Sequence, residues 1–369
     1  MRERLGRNIE EMLAILSPPG DTIQETIDAI GMSQTELAER MGRPKEKIND
    51  MIKGREPITT PTAFQLEKVL GIPASFWMNR EKEYRKLVYE LEQEQQLEQC
   101  KEWLRNFPVQ RMKELKWLPD TKRLSELVNS LLTFFSVASV DEWDKIYIKN
   151  EVSASFRISL ANTSNPYAIS AWLRMGELEI RKLKLSAYER RKFKDSLITI
   201  KELAYESPND FSTKLQQVCA SCGVAVIYTP NLSKAPISGA ARWVYDTPLI
   251  QLSGRYKTND HFWFTFFHEA GHILEHGKKD IFLEDVEGTD INRQKEDEAN
   301  RFATNWLLSD EQLSEILANK PLSENKIIEF SKRFRTLPGI IIGRLQHLKL
   351  IPHSTGNQLR QKIDLFKNH

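Results

Sequence analysis

The stretch His268-Glu269-Ala270-Gly271-His272 decides how the C-terminal part of this chain is interpreted. It lies within the mainly apolar run 262–274, which favours a buried helix. Residues four apart lie on one face of a helix, so both imidazoles can bind one metal ion. Glu269 lies beside them and can hold a water molecule that the metal acidifies. The alternative is a pair of ordinary helix histidines, because short patterns recur by chance.

A catalytic zinc site needs a third protein ligand and an open fourth position. The segment 296–303 predicts a second helix, because apolar residues recur at spacings of three and four: Ala299, Phe302, Ala303, Trp306 and Leu307. Glu296 and Asn300 share a face beside that stripe. We predict Glu296 as the third ligand and Asn300 as a partner that orients a ligating imidazole through its other ring nitrogen. Glu298 is the rival ligand, and a solvated Glu296 without a ligand role is the other alternative.

His276 follows His272 by four residues and invites a three-histidine interpretation. On a continuous helix it would lie about 12 Å along the axis from His268, which is too far for one shared metal ion. Gly277 follows His276, where we expect it to end the helix. His276 is therefore predicted to pack against the site or to support a ligand.

Residues of roughly 215–350 resemble the ImmA/IrrE family of zinc metallopeptidase domains. The matching pieces are 266–276 and 296–303. The resemblance implies a thermolysin-like ligand set, with one Zn²⁺ per chain held by His268, His272 and Glu296. It also implies that Glu269 is the catalytic base.

Three short apolar segments before the metal motif predict strands: Val224–Tyr228, Gly239–Val244 and Pro248–Leu252. The last two are separated by three residues and predict a hairpin. An edge of this short sheet can hold an extended peptide. Equally, the edge can simply cover the core.

The segment 33–54 indicates a function of a different class. Ser33 followed by Glu36 forms a capping-box pattern, and Gly42 supplies a turn before a second short helix that starts near Pro44. Two short helices joined in this way predict a helix-turn-helix. The side chains predicted to contact DNA are Gln34, Thr35, Lys45, Lys47, Asn49 and Lys53.

The stretch 33–80 resembles DNA-binding domains of the Xre type, and more narrowly the HigA-like antitoxins. Residues 54–63 and 71–79 carry the narrower likeness. Glu46 and Asp50 dilute the positive face of the second helix. The alternative is a helix-turn-helix kept only for dimerisation or protein docking.

Composition limits the remaining possibilities. A net charge near +2 gives no bulk attraction to nucleic acid, so DNA affinity must come from a local patch. No apolar run is long enough to span a membrane, and the charged start of the chain does not resemble a signal peptide. Three cysteines do not make a disulfide framework, and we expect Cys219 and Cys222 to be core thiols rather than a redox or metal pair. These features predict a cytoplasmic protein.

We expect a mainly α protein in three parts. Residues 1–80 form a helix-turn-helix bundle, 81–207 a helical linker or dimerisation region, and 208–369 a small α+β zinc peptidase with a short sheet. The middle part is expected to contain helices over 81–105, 111–135 and 168–204, with breaks near Pro108 and Pro119.

These observations predict a DNA-binding regulator fused to a zinc endopeptidase. The expected partners are operator DNA at its own promoter and a second copy of the chain, and the resemblance to the ImmA/IrrE family implies a protein substrate that is itself a regulator or antitoxin. The resemblance places it in a stress-response, toxin–antitoxin or phage-defence switch. One alternative is a regulator whose zinc site is structural or a sensor, and another is a peptidase toxin that a partner antitoxin silences.

Overall fold

The computed structural model describes Met12 and residues 15–149, 165–278, 282–283 and 293–366. It is mostly helical with one small sheet, as predicted. The charged residues at the start of the chain lie outside the described part. The chain divides into two compact units. The first comprises the described residues up to Glu102 together with Lys122–Asn129. The second comprises Trp103–Thr121 and the described residues from Ser130 onward.

Between residues 15 and 99 the first unit forms the helices α1 Pro19–Ala29, α2 Gln34–Met41, α3 Lys45–Ile52, α4 Thr60–Leu70 and α5 Ala74–Gln99. Their apolar faces enclose a core that includes Ile23, Leu37, Ile48, Leu66 and Trp77. The helix-turn-helix is α2 and α3, so the predicted motif is present.

The turn of this motif is shaped by its first and last residues. Ser33 caps α2 by accepting a hydrogen bond from the backbone N–H of Glu36. The Glu36 carboxylate pairs with Arg40 at 2.7 Å, so a reciprocal capping box is not seen. Gly42 ends α2 in the left-handed conformation, with φ of 65°, which a residue with a Cβ adopts only at a cost.

The described residues that follow form seven helices before the sheet. They are α6 Lys101–Arg105, α7 Val109–Glu114, α8 Leu124–Phe135, α9 Val140–Tyr147, α10 Pro166–Ile180, α11 Arg190–Glu206 and α12 Phe211–Ser221. Cys219 and Cys222, at the end of α12, are buried and not disulfide-bonded.

Two predicted helices in this part are wrong in extent. The helix expected over 81–105 begins earlier, at Ala74, and is interrupted at Cys100. The helix expected over 168–204 is two helices separated by residues 181–189. In that gap the N–H groups of Ser186 and Glu189 donate to the carbonyls of Ala220 and Cys222, at 3.1 and 3.2 Å. These bonds to α12 satisfy the backbone locally, so the helix is not continued.

The sheet has the strand order β1-β3-β2-β4, with β1 Ala225–Tyr228, β2 Gly239–Val244, β3 Thr247–Leu252 and β4 Phe282–Leu283. β1 runs parallel to β3, whereas β2 is antiparallel to both β3 and β4. Val244 pairs with Thr247, so the predicted hairpin closes through a two-residue turn, one residue shorter than expected.

The remaining helices are α13 Asn259–Glu275, α14 Arg293–Leu307, α15 Asp310–Ala318, α16 Glu324–Phe334 and α17 Pro338–His347. Helix α13 contacts β2 and β3 of the sheet as well as α14, α17 and α11. Because it is enclosed in this way, most polar side chains in its middle, such as Thr265, His268, Glu269 and His272, are held away from bulk water.

Candidate metal centre

Helix α13 carries the decisive motif in a buried setting. Phe266, Phe267 and Ala270 belong to the core, while His268, Glu269 and His272 are 2%, 0% and 1% exposed. Buried polar groups are costly unless they are paired, so these three side chains indicate a site rather than packing.

The C-terminal end of α13 is held by a long-range contact. The guanidinium of Arg190 donates from Nε and Nη2 to the carbonyl oxygen of Leu274, at 2.9 and 2.6 Å. Such bonds satisfy a carbonyl that the helix itself leaves unpaired. The helix ends at Glu275 with His276 as its C-cap, so the expectation that Gly277 ends the helix is wrong.

Three side chains converge at one point. The Nε2 atoms of His268 and His272 lie 3.0 Å apart. The carboxylate of Glu296, on α14, lies 3.2 Å from His268 Nε2 and 3.5 Å from His272 Nε2. Their candidate ligand atoms all lie within 4.8 Å of one another.

This donor set fits a zinc ion. Zinc in proteins is bound by imidazole nitrogen and carboxylate oxygen at about 2.0–2.2 Å, and in a tetrahedral site two such atoms lie about 3.3 Å apart. The observed separations are close to that spacing. Among the described residues, the group supplies three ligands, the number typical of a catalytic zinc site with an open position.

The protonation states suit a metal as well. Burial lowers the pKa of His272 to about 4, although Glu296 opposes the shift. Burial alone would raise the pKa of Glu296, but the neighbouring His268 and His272 outweigh it and lower that pKa to about 2. At neutral pH the ring is therefore neutral and the carboxylate ionised, which are the forms that bind a metal.

Each histidine has a partner for its other ring nitrogen. His268 Nδ1 lies 3.1 Å from Asn300 Oδ1, the contact predicted for Asn300. His272 Nδ1 lies 2.9 Å from His276 Nδ1, and His276 Nε2 lies 3.1 Å from Glu298 Oε2. Glu298, the rival ligand, therefore faces His276 rather than the three-residue group.

Glu269 occupies a space that depends on a glycine in β2. A Cβ built on Gly239 would lie 2.7 Å from Glu269 Oε1 and 2.6 Å from Thr265 Cγ2. Any larger residue at 239 would therefore displace the carboxylate or the helix. The glycine allows β2 to approach α13 closely enough to enclose Glu269.

Sequence reasoning missed one aromatic contact at this site. The ring of Phe282, in β4, stacks on His272 with centroids 3.8 Å apart and planes inclined by 14°. This contact restricts the rotation of the ring. A strand of two residues leaves no periodic pattern in the sequence, so no signal could have identified Phe282.

A cleft of about 990 Å³ is lined by Asn300, the partner of His268, although the three candidate ligands and Glu269 do not line it themselves. Thr265 and Asn300 lie in its wall, and Arg301, Arg344 and Arg360 contribute cationic groups. No sequence motif marks the cleft, because its lining comes from α13, α14, α17 and the segment after α17. It is large enough for several residues of an extended peptide.

The six residues predicted to contact DNA differ in their surroundings. Thr35, Lys45 and Lys53 are exposed. Lys47 is also exposed but pairs with Glu56 at 3.0 Å. Gln34 and Asn49 are half-buried, and the Gln34 amide donates to Gln24 Oε1 at 2.6 Å.

The acidic residues of α3 are partly compensated. Asp50 pairs with Arg55 at 2.8 Å, whereas Glu46 is exposed. The surface of α3 therefore offers Lys45 and Lys53 as the exposed cations for which the described residues show no ion pair.

Removal of Glu296 should empty the metal centre. We expect Glu296→Ala to lose its zinc during dialysis against a weak chelator, because only two imidazole ligands remain. Asp297→Ala, which removes an exposed carboxylate from the same helix, should retain one zinc per chain. Elemental analysis of the dialysed proteins measures this, and equal zinc contents would remove Glu296 from the ligand set.

Comparison with known proteins agrees with this geometry. Residues 219–346 match a peptidase family described as the IrrE N-terminal-like domain, and residues 23–77 match the helix-turn-helix family. The two resemblances predicted from the sequence are thus confirmed over these segments. The chain therefore joins a helix-turn-helix domain, of a kind that binds DNA, to a metallopeptidase-like domain.

Among solved structures, an addiction module antidote protein of the HigA family from Coxiella burnetii is similar to 23% of this chain. The match covers 89% of that protein, with 25% identity and a TM-score of 0.20. No curated protein matches the chain significantly. No helix of the described residues is long and apolar enough to cross a membrane.

Proposed function

We propose that the protein is a zinc-dependent endopeptidase carried on a DNA-binding regulator, and that it cleaves a repressor or an antitoxin. The observation that supports this most directly is the convergence of His268, His272 and Glu296 beside the buried Glu269. One zinc ion bound there would acidify a water molecule and polarise a peptide carbonyl.

The residues of the chain have separate tasks in this proposal. His268, His272 and Glu296 hold the metal, and Asn300 orients His268. A carboxylate oxygen of Glu269 accepts a proton from the attacking water and then delivers it to the leaving amine. The enclosure of Glu269 between α13 and β2 keeps bulk water away from that proton transfer.

The cleft that Asn300 and Thr265 line is the proposed substrate site. Gly343 lines it without a side chain, and a Cβ there would meet only Arg360, at 3.9 Å, so this wall leaves room for an extended peptide. Among the described residues β4 is an edge strand, and its Phe282 stacks on His272, so we propose that strand addition to β4 aligns the same peptide.

A regulator with a structural or sensing zinc site is the main alternative. A structural zinc site is usually closed by four protein ligands, whereas the described residues bring together three. The other alternative is a peptidase toxin that an antitoxin silences. It would use the same chemistry as the proposed function and would differ only in its biological target.

Co-expression separates these possibilities. The wild type and Glu269→Ala would each be expressed with proteins encoded by neighbouring genes, and fragments compared by mass spectrometry. The proposal expects a defined fragment with the wild type only. Identical peptide maps across all candidate partners would favour the non-proteolytic regulator, and cleavage of many unrelated proteins would favour the toxin.

The helix-turn-helix domain is proposed to bind the operator of its own gene, as a dimer. We expect Lys45→Ala to weaken DNA binding. The plot of the logarithm of the binding constant against the logarithm of the salt concentration has a negative slope, and the variant should make that slope less steep by about 0.9, the effect of one lost phosphate contact. Lys68→Ala, which removes an exposed lysine from α4, is the matched control. Gel shifts at several salt concentrations measure the slope, and equal slopes would favour a protein-docking role.

Both activities on one chain would make cleavage local. A DNA-bound regulator held at the operator meets the peptidase at a high effective concentration, without requiring a tight peptide site. The helix-turn-helix domain would then select the target, and the peptidase domain alone would be less selective.

A further inference from the structure

The two candidate ligand histidines differ in what supports them. His268 faces the neutral amide of Asn300, whereas His272 faces another imidazole. That second imidazole, His276, in turn faces the carboxylate of Glu298. Gln294 Nε2 donates to the other carboxylate oxygen of Glu298 at 2.9 Å, which holds this end of the chain of contacts in place.

We infer that Glu298, acting through His276, places the ring proton of His272 on Nδ1 and so leaves its Nε2 lone pair free to bind the metal. Glu298 and His276 are thus positioning residues for the metal centre, and Glu298 supports the site without being a ligand. This inference rests on the proposed function, because it assigns a purpose to His272 Nε2.

The direction of the hydrogen bonds follows from donor counting. An ionised carboxylate only accepts, so the proton of a neutral His276 must lie on Nε2, where it is donated to Glu298. His276 Nδ1 then carries a lone pair and can only accept. At 2.9 Å from it, His272 Nδ1 must donate, so His272 carries its proton on Nδ1.

Without Glu298 this order is lost. His276 could then place its proton on Nδ1 and donate to His272, which would put the His272 proton on Nε2. That tautomer directs an N–H at Glu296 and cannot bind a metal until the proton moves. The stacked ring of Phe282 prevents His272 from escaping by rotation, since the two planes are inclined by only 14°.

The arrangement also explains how a polar side chain such as His276 can be buried at this position. Its side chain is 3% exposed although it lies at the end of α13. Burying an imidazole costs little free energy when both of its nitrogens are hydrogen-bonded. His276 also links Glu298 to His272, so the carboxylate can fix the tautomer of a ring that it does not contact directly.

Two measurements on the full chain test the inference. The tautomer of His272 would be read from two-bond ¹H–¹⁵N spectra of the zinc-free protein near pH 8, where an unperturbed histidine is neutral. His272→Gln identifies the signal. Zinc affinity would be measured by competition with a chromogenic chelator.

Three variants are compared with the wild type. Glu298→Ala removes the acceptor. His276→Phe keeps a ring against Phe282 but lacks both nitrogens. Glu275→Ala, the matched control, removes an exposed carboxylate from the residue next to His276.

We expect the Nδ1–H tautomer in the wild type and in Glu275→Ala. Glu298→Ala and His276→Phe should lose that preference and bind zinc about 10–100-fold more weakly. Should His276→Phe fail to fold, Glu298→Ala still decides, because its side chain is 37% exposed.

Two results would overturn the inference. They are an Nε2–H tautomer in the wild type, and zinc binding by Glu298→Ala as tight as by Glu275→Ala. A wild type that binds no zinc would instead overturn the proposed function, while the tautomer would still test the role of Glu298.

Discussion

Glu269→Gln should cleave its substrate about 10²–10⁴-fold more slowly than the wild type, which is the usual cost of losing a general base. The exchange is nearly isosteric, so the fully buried side chain keeps its place between α13 and β2. An amide cannot accept the proton of the attacking water. The three candidate metal ligands are unchanged, so we expect one zinc per chain to remain.

Initial rates at matched zinc content measure this effect. Glu275→Gln provides the control, because it makes the same exchange six residues further along α13 at an exposed position. It should cleave like the wild type. A Glu269→Gln rate within twofold of that control would reject Glu269 as the base and leave the metal centre without a proton acceptor.

The metal centre was predictable because most of it is local in sequence. His268, Glu269 and His272 need only a helix to be brought together. Glu296 and Asn300 need only a second helix packed on the first, and the spacing of their apolar neighbours indicates that packing. Predictions of this kind use the helix period alone, without knowledge of the fold.

The parts that could not be predicted depend on contacts between distant segments. Phe282 reaches His272 only through the pairing of β4 with β2. The interruption of the helix at 181–189 depends on backbone bonds to α12. Neither contact leaves a periodic pattern, and local helix propensity therefore gave the wrong extent for α10 and α11.

A buried ionic group illustrates the same limit. Glu177, on α10, bridges Arg174 on its own helix and Arg242 on β2, with both N–O distances 2.7 Å. Gln251, on β3, donates to the carbonyl oxygen of Trp172 at 2.7 Å. Polar residues within apolar strands were the only sequence signal, and that signal does not identify their partners.

These contacts bear on where the peptidase domain begins. The boundary expected at residue 208 would remove α10 and leave Arg242 and Gln251 buried without these partners. We therefore propose that a fragment intended to fold should begin near Trp103, where the second unit starts. The helical middle part would then belong in large measure to the peptidase fold rather than to a linker.

Glu177→Ala should destabilise this unit by about 3–5 kcal/mol, because it leaves the buried charges of Arg174 and Arg242 without a counter-ion. All three side chains are at most 6% exposed, so water cannot replace the carboxylate. Glu179→Ala is the matched control: it lies on the same helix and pairs with Lys182, whose side chain is 68% exposed. Loss of the exposed Glu179–Lys182 pair should cost at most about 1 kcal/mol.

Urea denaturation and calorimetry of both variants measure the difference in the free energy of unfolding. Equal stabilities would mean that α10 is not held to the sheet by this group, and the case for starting the fragment at Trp103 would lose its energetic basis.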